Sequence, residues 1–165
     1  GFSKSYCMTG WRLGYGAGPK KLISSMLKVQ SQSTSAANTI AQFAGINALE
    51  ISDSSFSDLR AILARRQKIM LREIGKINGL LTNRPEGAFY IFPSIQFFIG
   101  KKLIDGTVIS DDLVFCKELL KKKNIAVVPG SSFGEKNCVR LSYALEENDI
   151  RLACKKMKEF CDSIK

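Results

Sequence analysis

Lys4 and Arg12 stand eight positions apart, around the run Ser5-Tyr6-Cys7-Met8-Thr9-Gly10-Trp11. Lys4 has small, hydroxylic and aromatic neighbours in a turn-like context. A lysine held in such a place near other positive charge has its neutral form favoured, and a neutral amine attacks an aldehyde. Surface hydration is the ordinary alternative for a lysine. Arg12 offers a planar donor fork that stays charged and suits a phosphate dianion better than an ammonium does. An ion pair after Trp11 is its plainer reading. The third candidate is Arg140, within Cys138-Val139-Arg140-Leu141-Ser142-Tyr143. Strand alternation puts Cys138, Arg140 and Ser142 on one face and Val139, Leu141 and Tyr143 on the other. An arginine among apolar neighbours costs desolvation unless an anion meets it. A bidentate carboxylate is the natural partner, and a structural ion pair would supply one as readily as a substrate.

The elements that must position these groups follow from periodicity. The segment to about residue 17 reads as strand and turn. Gly18-Pro19 suits a helix first turn, and Leu22, Ile23, Met26 and Leu27 predict a helix over about 19–30. After the polar break Ser31-Gln32-Ser33-Thr34-Ser35, a helix is expected over 37–50, burying Ile40, Phe43, Ala44, Ile46 and Leu49. Phe56, Leu59, Leu63, Met70, Ile74 and Ile77 keep helical spacing for about six turns, with Arg65, Arg66 and Lys68 on the solvated face. Gly79 and Asn83-Arg84-Pro85 end it. Strands are expected at 88–92, 125–128 and 138–143, and residues 94–110 read as loop with weak strand content. A helix over about 111–122 buries Leu113, Cys116 and Leu120, with Lys121-Lys122-Lys123 at its C-terminus, where cations suit the macrodipole. A last helix starts at Glu146-Glu147-Asn148-Asp149 and buries Ile150, Ala153, Met157, Phe160, Cys161 and Ile164. The acidic pairs Asp111-Asp112 and Glu146-Glu147 read as helix caps rather than catalytic carboxylates.

Composition narrows the function classes. The chain has 165 residues, 45% hydrophobic and 24% charged, as a soluble globular protein does. No apolar run approaches the ~20 residues that span a bilayer, no signal sequence is evident, and a cytoplasmic location is expected. There is no histidine, so Ser-His and Cys-His catalysis and most zinc chemistry are excluded, and no metal site is expected. The five cysteines are odd in number and lack a C-x-x-C pair, so reduced core thiols are expected. The net charge of +10 comes from 25 basic residues spread along the chain. No aromatic-basic interleaving suggests nucleic-acid recognition, so a basic nucleic-acid-binding module ranks last.

The stretch Ser3-Lys4-Ser5-Tyr6-Cys7-Met8-Thr9-Gly10-Trp11-Arg12-Leu13-Gly14-Tyr15 resembles the cofactor-lysine motif S-K-x-Y-x-M-T-G-W-R-x-G-Y of class I, fold type I, pyridoxal-phosphate aminotransferases, bacterial aspartate aminotransferases in particular. Pro85-Glu86-Gly87-Ala88-Phe89-Tyr90, Pro129-Gly130-Ser131-Ser132-Phe133-Gly134 and Arg140-Leu141-Ser142-Tyr143-Ala144 are similar to segments of the same family's small domain. The resemblance implies that Lys4 forms the Schiff base with pyridoxal 5'-phosphate and moves the α-proton, that Arg12 binds the cofactor phosphate, and that Arg140 holds the substrate α-carboxylate. It implies an α/β protein with the C-terminal part of the fold type I architecture. Residues 1–50 would be the end of the large domain, 51–77 a long linking helix, and 78–165 a small α+β domain. Ser31 to Asn38 resembles a segment at the family's homodimer interface, and no arginine between Arg12 and Arg60 supplies a side-chain carboxylate anchor. Gly1 stands where many members carry a phosphate-binding serine.

What the resemblance implies for the whole protein is amino transfer from L-aspartate to 2-oxoglutarate, with prephenate or aromatic amino acids as alternative substrates. The groups that bind the cofactor ring elsewhere in the family have no counterpart here. The chain is therefore expected to be a piece of an aminotransferase with little activity alone. A non-catalytic structural or dimerisation module is the alternative. Residues 1–50 are expected to expose apolar surface.

Overall fold

In this computed structural model, residues 1–165 are all described, and the chain divides into two units, Gly1–Ser57 and Asp58–Lys165. The first unit holds α1 (Phe2–Ser5), a 3-10 turn (Thr9–Trp11), α2 (Lys20–Ser33), α3 (Thr39–Glu50) and a second 3-10 turn (Asp53–Phe56). The opening segment is thus helical and irregular rather than strand. Two left-handed residues, Cys7 (φ 55°) and Arg12 (φ 53°), bend it back on itself. The Phe2 N–H bonds the Leu13 carbonyl at 3.4 Å and closes the loop.

Phe2, Met8 and Leu13 drop from that loop onto Ala41 and Ala48 of α3. The contact is close because position 45 is glycine: a Cβ there would lie 2.6 Å from Leu13 Cδ2. This overturns the expected burial of Ile40, Phe43, Ile46 and Leu49, which are 71, 65, 55 and 55% exposed. The small side chains admit a neighbour and the large ones face outward. Asn38 caps α3, its Oδ1 accepting from Ala41 N at 3.1 Å, as N-cap asparagines do. Helix α2 runs to Ser33, into the expected polar break, and buries none of its residues. Leu22, Met26 and Leu27 are all more than half exposed.

The second unit is built around a small antiparallel sheet in the order β1-β3-β2. Its strands are β1 (Tyr90–Ile91), β2 (Val128–Pro129) and β3 (Val139–Ser142), each shorter than its apolar run suggested. Prolines account for the first two limits. Pro93 follows β1 and Pro129 ends β2, and neither can donate to a ladder. Tyr90 faces Ser142, and Val128 faces Arg140. Residues 94–110 contain a 3-10 turn at Gln96–Phe98 and isolated bridges such as Lys102 with Val108.

Three helices enclose the core. Helix α4 (Ser57–Ile74) has 18 residues, about five turns rather than six, and contributes Ile69, Met70 and Ile74. Helix α5 (Asp112–Lys123) buries Phe115, Cys116 and Leu119. Leu113 and Leu120, expected inside, are 58 and 51% exposed. Helix α6 (Glu147–Asp162) buries Ile150, Cys154, Met157, Phe160 and Cys161. Phe115 links the rings of Phe98 and Phe160 at 5.8 and 5.3 Å between centroids.

Charges join these helices. Arg66 Nη2 meets Glu146 Oε1 at 2.6 Å, and Arg65 pairs with Glu147. Glu146 makes no side-chain cap bond, so this acidic pair binds α4 rather than capping α6, and Arg66 is half-buried rather than solvated. Lys122 pairs with Asp105, and Lys123 with Glu159 at 2.8 Å. All five cysteines are free; Cys116, Cys154 and Cys161 are buried, but Cys7 is exposed, contrary to the expected core role. No helix is long and apolar enough to cross a membrane, and no group of three or more Cys, Asp and Glu side chains is arranged to hold a metal.

Candidate functional site

The closed loop of the first unit carries both Lys4 and Arg12. Lys4 lies on α1, and both residues are exposed. Two hydrogen bonds tie their surroundings. Thr9 Oγ1 donates to the Ser3 carbonyl at 2.8 Å, and Arg12 Nη1 donates to the Thr9 carbonyl at 2.9 Å. The second bond aims the guanidinium back over the turn that carries it. Left-handed backbone at Cys7 and Arg12 costs of order 1 kcal/mol each, and it is at these two residues that the loop reverses. Beside the loop lies an open cleft of about 600 Å³ lined by Cys7, Gly10, Trp11, Arg12, Asn38 and Ala41.

This donor set fits pyridoxal phosphate. An exposed primary amine meets the requirement of an aldehyde, and an exposed guanidinium with one Nη engaged keeps further N–H groups for a phosphate. Gly1 offers no hydroxyl, so among the motif residues Arg12 is the one that would hold the phosphate.

Arg140 lies in the second unit, on the central strand. The expected alternation holds: Val139 and Leu141 are buried, while Arg140 and Ser142 are half-buried on the opposite face. No carboxylate of the chain pairs with Arg140. Instead its Cζ lies 4.4 Å from the centroid of Tyr90 and 4.4 Å from that of Phe133. Tyr90 belongs to the strand on one flank, and Phe133 ends the 3-10 turn Gly130–Phe133 beyond the strand on the other. No side chain or carbonyl of this chain accepts from the Arg140 guanidinium.

Sequence reasoning missed the groups that build this arrangement. Gly130 is required where the turn leaves β2, because a Cβ there would collide with the Glu135 carbonyl and the Cys138 side chain. Asp112 is not a cap. It is 3% exposed, and its Oδ2 accepts from Ser131 N at 2.7 Å, fixing the turn that carries Phe133. Burial pushes its carboxyl up, but the hydrogen bonds from Ser131, its own backbone and the Asn137 backbone together outweigh burial and hold it below the usual range. Asp111 is the cap, accepting from Val114 N at 2.8 Å.

Known proteins match the chain over essentially its whole length. A probable aspartate/prephenate aminotransferase of Rhizobium leguminosarum bv. phaseoli is 41% identical over 165 residues, which is 100% of this chain and 41% of that protein. An aspartate/prephenate aminotransferase of Cereibacter sphaeroides is 42% identical over 161 residues, 98% of this chain and 40% of that protein. The crystal structure of the aspartate aminotransferase from Rhizobium meliloti superposes with a TM-score of 0.88 at 39% identity, covering 100% of this chain and 41% of that one. The chain therefore spans about 41% of the length of the first of these relatives, and its fold is that of the matching part of the fold type I enzymes. Residues 1–157 match the family described as aminotransferase class I and II, and the chain belongs to that family.

Proposed function

We propose that the whole protein is a pyridoxal-phosphate-dependent aminotransferase that moves an amino group from L-aspartate to 2-oxoglutarate. The observation that carries this reading is that one hydrogen-bonded loop carries both Lys4 and Arg12. When bound, the cofactor supplies the electron sink for a carbanion at the substrate α-carbon. Lys4 would hold the cofactor through its amine and would move the proton at the substrate Cα. Arg12 anchors the phosphate, and Arg140 takes the α-carboxylate as a bidentate pair. Prephenate is a second acceptor to consider, because two of the relatives above carry it in their names. The protein would work as a homodimer in the cytoplasm. By itself, the 165-residue chain should show little or no transaminase activity, because the groups that hold the cofactor ring elsewhere in the family have no counterpart among its motifs.

The test is covalent trapping. The whole protein, loaded with pyridoxal phosphate and reduced with borohydride, should carry one pyridoxyl group on the peptide containing Lys4. Lys4→Ala should abolish that adduct, and Arg12→Ala should weaken cofactor retention. An adduct on any other lysine, with Lys4 unmodified, would overturn the assignment.

A further inference from the structure

The surroundings of Arg140 explain how a half-buried guanidinium can wait for a carboxylate without being neutralised by another group of this chain. Arg66 is similarly shielded in the second unit, and it is spent on Glu146 at 2.6 Å. Arg140 has no such partner. The two side chains stacked on it are aromatic rings at equal distances of 4.4 Å. A ring face attracts the cation electrostatically but accepts none of its in-plane N–H bonds. Rings from both flanks also restrict rotation of the guanidinium plane, which a single neighbour would not do.

The supports of the two rings are themselves fixed. Tyr90 faces Ser142 in the β1–β3 register, on the same face of β3 as Arg140. Its ring also packs on Phe89, with centroids 4.5 Å apart. Phe133 meets Phe92 edge-on at 6.1 Å. Its turn is held by Gly134 N to the Ser131 carbonyl at 3.2 Å and by Ser131 N to Asp112.

We propose that Tyr90 and Phe133 are positioning residues for substrate binding: by stacking on Arg140 they orient its guanidinium edge toward the α-carboxylate and keep that edge unspent. This rests on the reading of Arg140 as the α-carboxylate anchor. Both the amino-acid donor and the 2-oxo-acid acceptor carry that carboxylate, so the two rings act on both halves of the reaction. The contact is made in the ground state and the transition state alike, so its loss falls on KM rather than kcat.

The experiment compares Phe133→Leu, Tyr90→Leu and Tyr90→Phe in the whole protein. The Leu variants should raise KM for L-aspartate and for 2-oxoglutarate together, each by about fivefold, which is about 1 kcal/mol. Their kcat should stay within about twofold. Tyr90→Phe keeps the ring and should retain KM. In an Arg140→Lys background, Phe133→Leu should add less than about twofold, because the planar group it orients is gone. A merely structural role would lower the active fraction, and so the apparent kcat, with KM unchanged, and that result would overturn the proposal. A second readout is independent of activity. In the whole protein, 15N relaxation at Arg140 Nε should show a rigid guanidinium that becomes mobile in Phe133→Leu; equal mobility in both also overturns the proposal. If Arg140→Lys itself leaves both KM values unchanged, the carboxylate-anchor reading fails instead, and the relaxation result then stands alone as a statement about Arg140.

Discussion

Replacing Asp112 with Ala removes a buried carboxylate from between α5 and the turn that carries Phe133. The bond from Ser131 N at 2.7 Å is charge-assisted, and bonds to charged groups contribute about 1.5–3 kcal/mol. The same carboxylate lies in the first turn of α5, where the macrodipole adds about 0.3–1 kcal/mol. Removing a buried charge also relieves its desolvation, which offsets part of the loss. The expected net cost for Asp112→Ala is about 2 kcal/mol, and for Asp112→Asn, which keeps an acceptor oxygen, about 1 kcal/mol. Amide hydrogen exchange at Val139 and Leu141 reads this directly. At 1.36 kcal/mol per tenfold, the Ala variant should exchange about thirtyfold faster where exchange requires global opening. The pH dependence fixes the cause. The folded pKa of Asp112 lies below its ordinary value, so the charged contribution is present above an unfolded pKa of about 3.9 and is lost as pH falls through the folded value. The gap between the native chain and Asp112→Asn should therefore be constant from about pH 5 to 8 and narrow below about pH 4. A gap that persists undiminished at pH 3, or an Asn variant as stable as the native chain at pH 7, would refute the charge-assisted bond as the cause.

Two further perturbations test the remaining packing. At position 45, Ala recovers up to about 1 kcal/mol of helix propensity over Gly, while its Cβ at 2.6 Å from Leu13 Cδ2 overpacks the loop by about 1–3 kcal/mol. Gly45→Ala should fall between neutral and mildly destabilising, whereas Gly45→Val, with two more methyls and a β-branch, should lower the first unit's stability by about 2–3 kcal/mol. Urea titration followed by fluorescence of Trp11, the single tryptophan and part of that loop, measures it, and unchanged midpoints for Gly45→Val would sink the close-packing account. For the cysteines, burial pushes Cys116 and Cys161 up to about 12 and Cys154 to about 11, and raises Cys138 less. Iodoacetamide at pH 8 should therefore modify exposed Cys7 first and Cys138 slowly, leaving the three buried thiols until urea is added. Mass spectrometry showing a buried thiol alkylated at the rate of Cys7 would contradict the core assignment.

The parts of this fold that were legible in the sequence share one property: a single apolar stripe. Helix α6 has one, and its expected inner residues Ile150, Met157, Phe160 and Cys161 are inside. Helix α5 is apolar on more than one side, and the reading chose Leu113 and Leu120 where the core took Phe115 and Leu119. Helix α3 shows the deeper limit. Periodicity assigns burial to the largest side chains, but the Phe2–Leu13 loop can approach only where the side chains are small, at Ala41, Gly45 and Ala48. Packing distance is a property of the pair of surfaces, and one strand of the pair is absent from any local window.

The same asymmetry governs the candidate residues. Lys4 and Arg12 sit eight residues apart, so one short motif displays both, and the turn between them is closed by its own Thr9. Arg140 is legible as a cation in an alternating strand, but the reason it lacks a carboxylate partner is not. Tyr90 lies 50 residues before it, and the register Tyr90–Ser142 brings that ring to its face. Phe133 is near in sequence yet reaches it only because Gly130 permits a tight turn and Asp112, on another helix, holds that turn in place. The contrast with Arg66 gives this meaning. Two half-buried arginines face the same desolvation cost, and the fold meets it in one case with Glu146 and in the other with two rings. Only the second solution leaves a guanidinium able to exchange its anion, which is what a residue must do if it is to bind a donor, release the product and bind an acceptor in turn.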